Sequence, residues 1–313
     1  MKKLLLLILL TLLYRPLSAQ TLQADTQRFA EVALHTYLIE GYADFLTADG
    51  NDVWVTNTGR IQKLTADSRV PVMTVTMPDP CGAPVLSGAE LYIASCKARA
   101  VYEINTATGN IDKIISTAIA DPEGEISLAY GAGSLWVLSD SSGVLSRIDP
   151  VSGRLVARIS VLPHSFCAVF GFGSVWVTNS GIAGSVQRIN PATNQVIATI
   201  GTGPCPHFLA AGENGIWTLN QRDGSISHLD PVTNSLVVTI PAGLAGTGGD
   251  ISAGAGKIWV RSKNGTALLT IDPKTNTALS RYGPLCGSGA VRVAGKYTWV
   301  TAHDIHAIWV LPN

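Results

Sequence analysis

The chain contains few charged side chains and no excess of either sign. Charged residues make up 14% of its 313 residues, with 22 lysines and arginines balancing 22 aspartates and glutamates. Because no basic stripe is visible, nucleic acids and anionic membrane surfaces are not expected partners. Low charge together with 31 glycines is typical of a compact all-β protein with many tight turns.

Motifs of familiar catalytic and metal sites are also missing. The chain has no HExxH, no GxSxG, no CxxCH haem site and no phosphate-binding loop. The segment "HDIH", from His303 to His306, could offer two imidazoles to a metal ion, but this is a weak metal signal and a polar surface loop is the default interpretation. The metal content is therefore left open by the sequence.

Long apolar runs are confined to the start of the chain. Two lysines precede the run Leu4–Leu13, and a small-residue stretch ends at Ala19. This pattern predicts a secretory signal peptide over residues 1–19, because the run is too short to span a membrane. We therefore expect a secreted or periplasmic monomer with no membrane span, in which residues 20–313 form a single domain.

What the chain does contain is a repeat of about 40 residues. Seven aromatic landmarks recur 38 to 44 residues apart, and most follow a glycine-containing turn, as in "GFGSVWV". About twelve residues later comes "IDP", "INP" or "LDP", and then an alternating apolar run such as "QVIATI". Each unit predicts four short strands, and this period indicates a seven-bladed β-propeller with four antiparallel strands per blade. The landmarks are Trp54, Tyr92, Trp136, Trp176, Trp217, Trp259 and Trp299.

The seventh unit is one strand short. Strands are predicted near 290–295, 297–302 and 306–311, after which the sequence ends at Asn313. The alternating segment "VALHTYLI", residues 32–39, can supply the missing outer strand. Pairing it with the last three strands would close the ring and remove two exposed sheet edges.

The repeat units carry a family resemblance. The segments "GFGSVWVTNSGIAGSVQRINPATNQVIATI" and "PHFLAAGENGIWTLNQRDGSISHLDPVTNSLVVTI" resemble the YVTN and streptogramin-lyase-like (virginiamycin B lyase-like) group of seven-bladed propellers. The resemblance covers nearly all of the chain after residue 19. It implies the propeller fold, and many members of the group look like scaffolds. The lyases in the group use a histidine and a glutamate near the central channel, with magnesium, to open a cyclic depsipeptide by elimination.

A ligand site is expected at one mouth of the central channel, where propellers bind ligands. The loops entering each innermost strand and leaving each second strand should face this mouth. They lie about 9 to 13 residues before each landmark and 4 to 9 residues after it. Four of the six histidines and all five cysteines fall at these positions. The candidate ligand-binding residues are Asp44, Asp250, Arg222, Lys263 and His303.

Two functions remain open, and the first is favoured. The chain could be an exported binding or interaction platform for a small molecule, a peptide, a glycan or a protein at the channel mouth. Alternatively, it could be an eliminative lyase in which His207 or His164 acts as base and Glu123 or Glu125 as partner or acid. For a lyase, the resemblance implies magnesium. A quinoprotein is less consistent with the sequence, because those propellers usually have eight blades.

The cysteines predict one disulfide. Positions can be numbered from the landmark aromatic, with residues before it counted as negative. Two residues that face each other across the first hairpin of a unit should then have position numbers that sum to about −7. Cys81 lies 11 residues before Tyr92 and Cys96 lies 4 after it, so a bond between them is expected in an oxidising compartment. Two thiolates binding a metal are the rival interpretation. At least one of the remaining cysteines should be free: Cys167, Cys205 and Cys286.

Overall fold

Seven antiparallel sheets form a closed ring, and their innermost strands contact one another in sequence around it. The all-β, seven-bladed propeller is thereby confirmed. The predicted signal peptide, residues 1–19, lies outside the residues described, and no helix in the described part is long and apolar enough to cross a membrane. The computed structural model describes residues 26–116, 125–140, 142–181 and 183–313.

The described chain begins with two strands that belong to the last two blades, and four complete blades follow. The N-terminal segment contains β1 (Thr26–Arg28), α1 (Phe29–Val32) and β2 (His35–Leu38). Blade 1 contains β3 (Leu46–Asp49), β4 (Asp52–Asn57), β5 (Arg60–Leu64) and β6 (Met73–Thr76). Blade 2 contains β7 (Pro80–Ser87), β8 (Glu90–Ser95), β9 (Ala100–Asn105) and β10 (Ile111–Ile115). Blade 3 contains β11 (Ser127–Gly131), β12 (Ser134–Asp140), β13 (Val144–Asp149) and β14 (Arg154–Ser160). Blade 4 contains β15 (Ser165–Gly171), β16 (Ser174–Asn179), β17 (Ser185–Asn190) and β18 (Gln195–Gly201).

The remaining strands complete the ring. Blade 5 contains β19 (Pro206–Gly212), β20 (Gly215–Asn220), β21 (Ser225–Asp230) and β22 (Ser235–Pro241). Blade 6 contains β23 (Gly249–Gly254), β24 (Lys257–Ser262), β25 (Leu268–Asp272) and β26 (Thr277–Gly283). Blade 7 contains β27 (Val291–Ala294), β28 (Tyr297–Ala302) and β29 (Ala307–Pro312), with a short 3-10 helix at His303–Ile305.

The ring closes as predicted, through the N-terminal strand. β2 pairs antiparallel with β29, and Tyr37 lies opposite Ile308. Sequence reasoning missed β1, which pairs in parallel with β26 and adds a fifth strand to blade 6. Its three residues are too few to show an alternating pattern. Phe29 then packs its ring against Trp309, with the centroids 4.2 Å apart.

The tryptophan landmarks form a buried layer that explains the glycine turns beside them. All six landmark tryptophans are no more than 1% exposed. In blades 3 to 6 each indole Nε1 donates a hydrogen bond to the carbonyl of the glycine that ends the innermost strand, as Trp176 does to Gly171 at 3.0 Å. A buried indole N–H needs such an acceptor, so the turn and the aromatic residue form one structural unit.

Neighbouring blades are joined by a recurring contact, here termed the inter-blade clamp. The Arg188 guanidinium lies over the Trp176 ring of its own blade. It also donates to Oγ of Ser174, to the carbonyl of Pro231 and to Oδ1 of Asn234, at 2.7 to 2.8 Å. Pro231 and Asn234 belong to the "DP" turn of the next blade. The arginine of one blade therefore donates hydrogen bonds to a turn of its neighbour, on the face away from the predicted mouth.

The clamp recurs in two other blades. Arg147 makes the same contacts from blade 3 to the turn of blade 4. In blade 5 a histidine replaces the arginine: His228 stacks on Trp217 at 3.8 Å, and its Nδ1 lies 2.9 Å from Oδ1 of Asn276. The recurrence of the "DP" turn sequence on this face is therefore explained by packing between blades.

Candidate functional site: the central cavity and its mouth

Two phenylalanines meet across the centre of the ring. The rings of Phe45, from blade 1, and Phe208, from blade 5, have centroids 6.2 Å apart, and Phe166 meets Phe208 edge-on at 5.5 Å. The three rings line a cavity of about 160 Å³ that receives side chains from all seven blades. We call this space the central cavity. A cavity of about 150 Å³ is large enough for a ligand the size of benzene.

A buried ion pair ties three blades together at the wall of the central cavity. Asp250 is 5% exposed, and its Oδ2 accepts hydrogen bonds from Nη2 of Arg292 and from the backbone N–H of Val291, both at 3.2 Å. Its Oδ1 accepts from the N–H of Ile251, and Nε of Arg292 donates to the carbonyl of Leu46. Burial raises the pKa of Asp250, and the Arg292 charge opposes this shift. Asp250, predicted as a ligand-binding residue, therefore already has protein partners.

Two other carboxyls at the cavity lack such partners. In the described part of the chain, neither Asp44 nor Glu125 makes a side-chain hydrogen bond or an ion pair. Both line two adjoining openings, one that also includes Lys97 and one that also includes Lys263. Glu125 also lines the central cavity itself. Burial and then the Asp250 charge raise the pKa of Glu125 to about 7. Burial, Glu125 and Asp250 raise the pKa of Asp44 to about 8, against the opposing charge of Arg261.

The mouth beside Asp44 is bounded by an aromatic pair and an exposed lysine. The ring of Tyr42 stacks on His303 with the centroids 3.8 Å apart, and Lys263 lies exposed on the same opening. His303 is 4% exposed, and its Nδ1 lies 2.8 Å from Oδ1 of Asp304 without the alignment of a hydrogen bond. Burial lowers the pKa of His303, although Asp304 opposes the shift. Asp44, Lys263 and His303 thus line the same opening.

A buried arginine behind the mouth was missed by sequence reasoning. Arg261 is 0% exposed and lies two residues after the landmark Trp259, where the other six units have threonine, leucine or alanine. That break in the repeat is the signal that could have identified it. Its guanidinium donates to the carbonyls of Ser262, Ala267, Thr301 and Gly287 and to Sγ of Cys286. The side chain is therefore saturated by protein acceptors.

The two candidate catalytic histidines share a separate pocket. This pocket has a volume of about 270 Å³ and is lined by His164, Ser165, Phe166, Ser180 and His207. Burial lowers the pKa of His207, whose Nδ1 lies 3.2 Å from the carbonyl of Cys205. Phe166 lines both this pocket and the central cavity, where Glu125 lies. The structure therefore brings the histidines together, with Glu125 in the neighbouring cavity.

The predicted disulfide between Cys81 and Cys96 is present, with the Cα atoms 5.9 Å apart. The register expected for it is wrong. Cys81 pairs with Ala94, because a bulge between Cys81 and Val85 displaces the ladder by two residues. The N–H of Cys96 instead donates to the carbonyl of Asp79 at 3.2 Å. The bond therefore crosses the hairpin diagonally, within the separation a disulfide allows.

The remaining candidates occupy varied environments. Cys167, Cys205 and Cys286 are free thiols, which confirms the expectation for at least one of them. Burial raises the pKa of Cys167 to about 11, so this thiol is not poised to react. Arg222 is exposed in the turn after β20, and Glu123 lies outside the described residues.

Comparison with known proteins gives a family and a fold. The sequence profile of a family described as a repeat of unknown function, DUF6923, matches residues 43–210, which is more than half of the chain. The chain belongs to the DUF6923 family. No curated protein matches it in sequence.

Two solved structures resemble this DUF6923 protein along nearly their whole length. Virginiamycin B lyase from Staphylococcus aureus shares 14% sequence identity, with a TM-score of 0.72, over 89% of this chain and 98% of the lyase chain. A chain of a mitotic checkpoint complex shares 12% identity, with a TM-score of 0.75, over 100% of this chain and 99% of the other. At such identities the likeness shows the propeller fold alone.

The described residues of the DUF6923 protein do not fit the magnesium implied by the lyase resemblance. Among them no three histidine, cysteine, aspartate or glutamate side chains are grouped to hold a metal ion. The lining described for the histidine pocket offers imidazoles and hydroxyls, whereas magnesium prefers carboxylate and phosphate oxygens. In "HDIH", His303 stacks on Tyr42, and Nδ1 of His306 lies 2.8 Å from the carbonyl of Gly41.

The aromatic residues that line the central cavity of the DUF6923 protein were also not predicted from the sequence. Three of the six phenylalanines, Phe45, Phe166 and Phe208, lie nine or ten residues before a landmark aromatic. Those positions begin or immediately precede the innermost strands, which face the ring axis. The recurrence of phenylalanine there, together with Arg292 in the seventh innermost strand, is the signal that could have indicated an aromatic cavity.

Proposed function

We propose that the protein is an exported binding platform whose ligand enters the central cavity. A seven-bladed propeller is a fold suited to presenting an interaction surface. The observation that carries the proposal is the cavity of about 160 Å³ that Phe45 and Phe208 line. Glu125 lines it without an ion pair or side-chain hydrogen bond among the described residues. Apolar walls with a few converging polar groups are the usual composition of a ligand site.

Export is part of this proposal. The Cys81–Cys96 disulfide supports it, because such bonds persist mainly in oxidising compartments. The test is the intact mass of the protein recovered from cells that express the full chain. A mass corresponding to cleavage after Ala19, in an extracellular or periplasmic fraction, would support export. An uncleaved chain confined to the cytoplasm would contradict it.

Ligand entry into the cavity can be tested with a library of small neutral, cationic and anionic compounds by ligand-observed NMR. Ala83 lines the central cavity, so Ala83→Leu should occupy part of it and weaken the binding of any cavity ligand. The matched control is Val232→Leu, at an exposed turn position on the opposite face. Binding that is unchanged by Ala83→Leu would contradict the proposed site.

A second candidate is the lyase suggested by the family resemblance. The observation that favours it is the pocket shared by His164 and His207. Because burial lowers the pKa of His207, its imidazole is neutral at pH 7 and can accept a proton. In this proposal the histidine removes the substrate proton, and Glu123 or Glu125 assists as its partner or as the acid.

The lyase candidate is tested by turnover of cyclic depsipeptides. His207→Ala should abolish turnover while leaving the circular dichroism spectrum unchanged. Asp230→Asn, at the partly buried end of β21 on the opposite face, should retain full turnover, because an amide oxygen can still accept the hydrogen bonds of the turn that follows. If no cyclic depsipeptide is opened by the wild-type chain, with or without magnesium, the lyase candidate fails and the binding platform stands.

A further inference from the structure

We propose that the central cavity selects a small organic cation carrying an ammonium group. Asp44 and Glu125 would be its counter-ions, and the phenyl rings of Phe45, Phe166 and Phe208 would be its walls. This inference rests on the proposed function of the cavity as a ligand site, and it adds the chemical class of the ligand.

The charges inside the ring are unevenly paired. Arg292 is held by Asp250 at 3.2 Å, and Arg261 donates all its described hydrogen bonds to carbonyls and one thiol. The acidic side chains left over, Asp44 and Glu125, have no ion pair in the described part of the chain. Both side chains are partly buried, and a partly buried carboxylate without a partner is destabilised in its ionised form. A bound cation would offset that destabilisation.

The aromatic walls favour the same ligand. Phe45 and Glu125 line the central cavity and both adjoining openings, and Phe208 lines the cavity and one opening. A cation entering beside Glu125 therefore meets phenyl rings at once. Aromatic faces attract ammonium groups, most strongly where water is excluded. The combination of ring faces and unpaired carboxyls distinguishes a cation site from a general apolar cavity.

The two lysines near the openings do not supply the missing positive charge. Lys97 lines one opening and Lys263 the other, and both are exposed. An ammonium group at the surface stays strongly hydrated on a flexible stem. These lysines are therefore expected to remain in water, and an anionic ligand reaching them would stay outside the phenyl rings.

Binding a cation should release protons. Burial and neighbouring acids hold the pKa of Glu125 near 7 and that of Asp44 near 8, so both carry protons for part of the time at pH 7. A cation favours the ionised forms, so its affinity should rise with pH through this range.

The other groups facing the carboxyls do not reverse this direction. Besides the lysines and arginines already described, they are Tyr42, Asp79, Asp250, His303 and Asp304. The pKa of Tyr42 is raised above its usual value by burial and by Asp44, so it stays neutral. The pKa of His303 is lowered by burial, so it adds little positive charge near pH 7. The remaining groups are acids, which favour a cation.

The experiment uses three probes of similar shape: n-butylammonium, n-pentanol and pentanoate. Each is titrated calorimetrically into the full chain at pH 6.0 and pH 8.5, where the ammonium probe keeps its charge. At pH 8.5 n-butylammonium should bind at least about tenfold more tightly than the other two, given one unpaired charge in the cavity. Its affinity should fall about tenfold at pH 6.0, as a group with a pKa near 7 becomes protonated.

Variants locate the effect. Glu125→Gln should remove most of both the charge preference and the pH dependence, whereas Asp230→Asn should change neither. If pentanoate or pentanol binds as tightly as n-butylammonium, and Ala83→Leu abolishes this binding, the cavity remains a ligand site but its cation selectivity is wrong. If no probe binds at either pH, both the cation selectivity and the cavity as a site for such ligands are contradicted.

Discussion

The inter-blade clamp and the central cavity differ in whether their charged side chains have partners. In the clamp region, Arg188 has a stacking partner and three hydrogen-bond acceptors, and Arg147 repeats the arrangement one blade earlier. At the central cavity and its openings, Glu125 and Asp44 have raised pKa values and no ion pair among the described residues. The clamp arginines stabilise the fold, whereas the cavity carboxyls oppose it.

The difference extends to the pattern of residues around the ring. The clamp side chain occupies the third strand opposite a landmark tryptophan, and arginine, arginine and histidine succeed one another there in blades 3 to 5. The cavity receives phenylalanine from three blades and charged side chains, namely Glu125, Asp250 and Arg292, from three others. Repeated positions therefore build the ring and the aromatic walls, and residues that differ between blades supply the charges of the candidate site.

The largest effect is expected from opening the ring. A chain beginning at Ile39 would lack β2, whose Tyr37 is 0% exposed, and would also lose the packing of Phe29 on Trp309. It should aggregate or lose its cooperative thermal transition, because two sheet edges become exposed. A chain beginning at Thr26 is the control and should melt like the full protein. A monomeric chain from Ile39 with unchanged melting would show that β2 does not close the ring.

A smaller loss is expected from removing the disulfide. The bond closes a loop with a sequence separation of 15, so Cys81→Ser with Cys96→Ser should lower the unfolding free energy by about 3 kcal/mol. Urea denaturation measures this loss, and reduction of the wild-type protein should reproduce it. Equal stability of oxidised wild type and double variant would mean that the bond does not constrain the unfolded chain.

The clamp itself can be broken at one residue. Arg188→Ala removes hydrogen bonds to Ser174, Pro231 and Asn234 together with the stacking on Trp176. The unfolding free energy should fall by about 2 kcal/mol. Arg158→Ala is a control on the outer strand of blade 3. If both substitutions had the same small effect, the clamp would contribute nothing beyond an ordinary surface arginine.

The fold was largely predictable because its signals are local and repeated. Landmark spacing gave the seven blades, and the alternating pattern around Tyr37 gave the closing strand. The cysteine pair followed from hairpin spacing, but its register did not, since the bulge before Val85 has no counterpart in the repeat. β1 was missed because three residues carry no periodic pattern.

The site was less predictable because it depends on which side chains meet across the ring axis. Position in the repeat placed Asp44, Lys263 and His303 at one mouth. Position in the repeat could not show that Asp250 forms an ion pair with Arg292, because the two residues lie in different blades. Charge pairing over such distances is a property of the closed ring rather than of any unit of sequence.

The most direct test of the contrast is the pH dependence of stability in Glu125→Gln. The folded pKa of Glu125 is about 7 against an ordinary value of 4.5, so its ionisation opposes folding. Below about pH 4 the carboxyl is protonated in both states, and the variant should match wild type. Between about pH 4.5 and 7 the wild type should lose stability relative to the variant, and above about pH 7.5 the difference should level off at about 3 kcal/mol in favour of glutamine. Urea denaturation from pH 4 to 8.5 measures the difference. A variant less stable than wild type at pH 8 would show that Glu125 is a structural partner, and would contradict the assignment of the central cavity as an electrostatically incomplete ligand site.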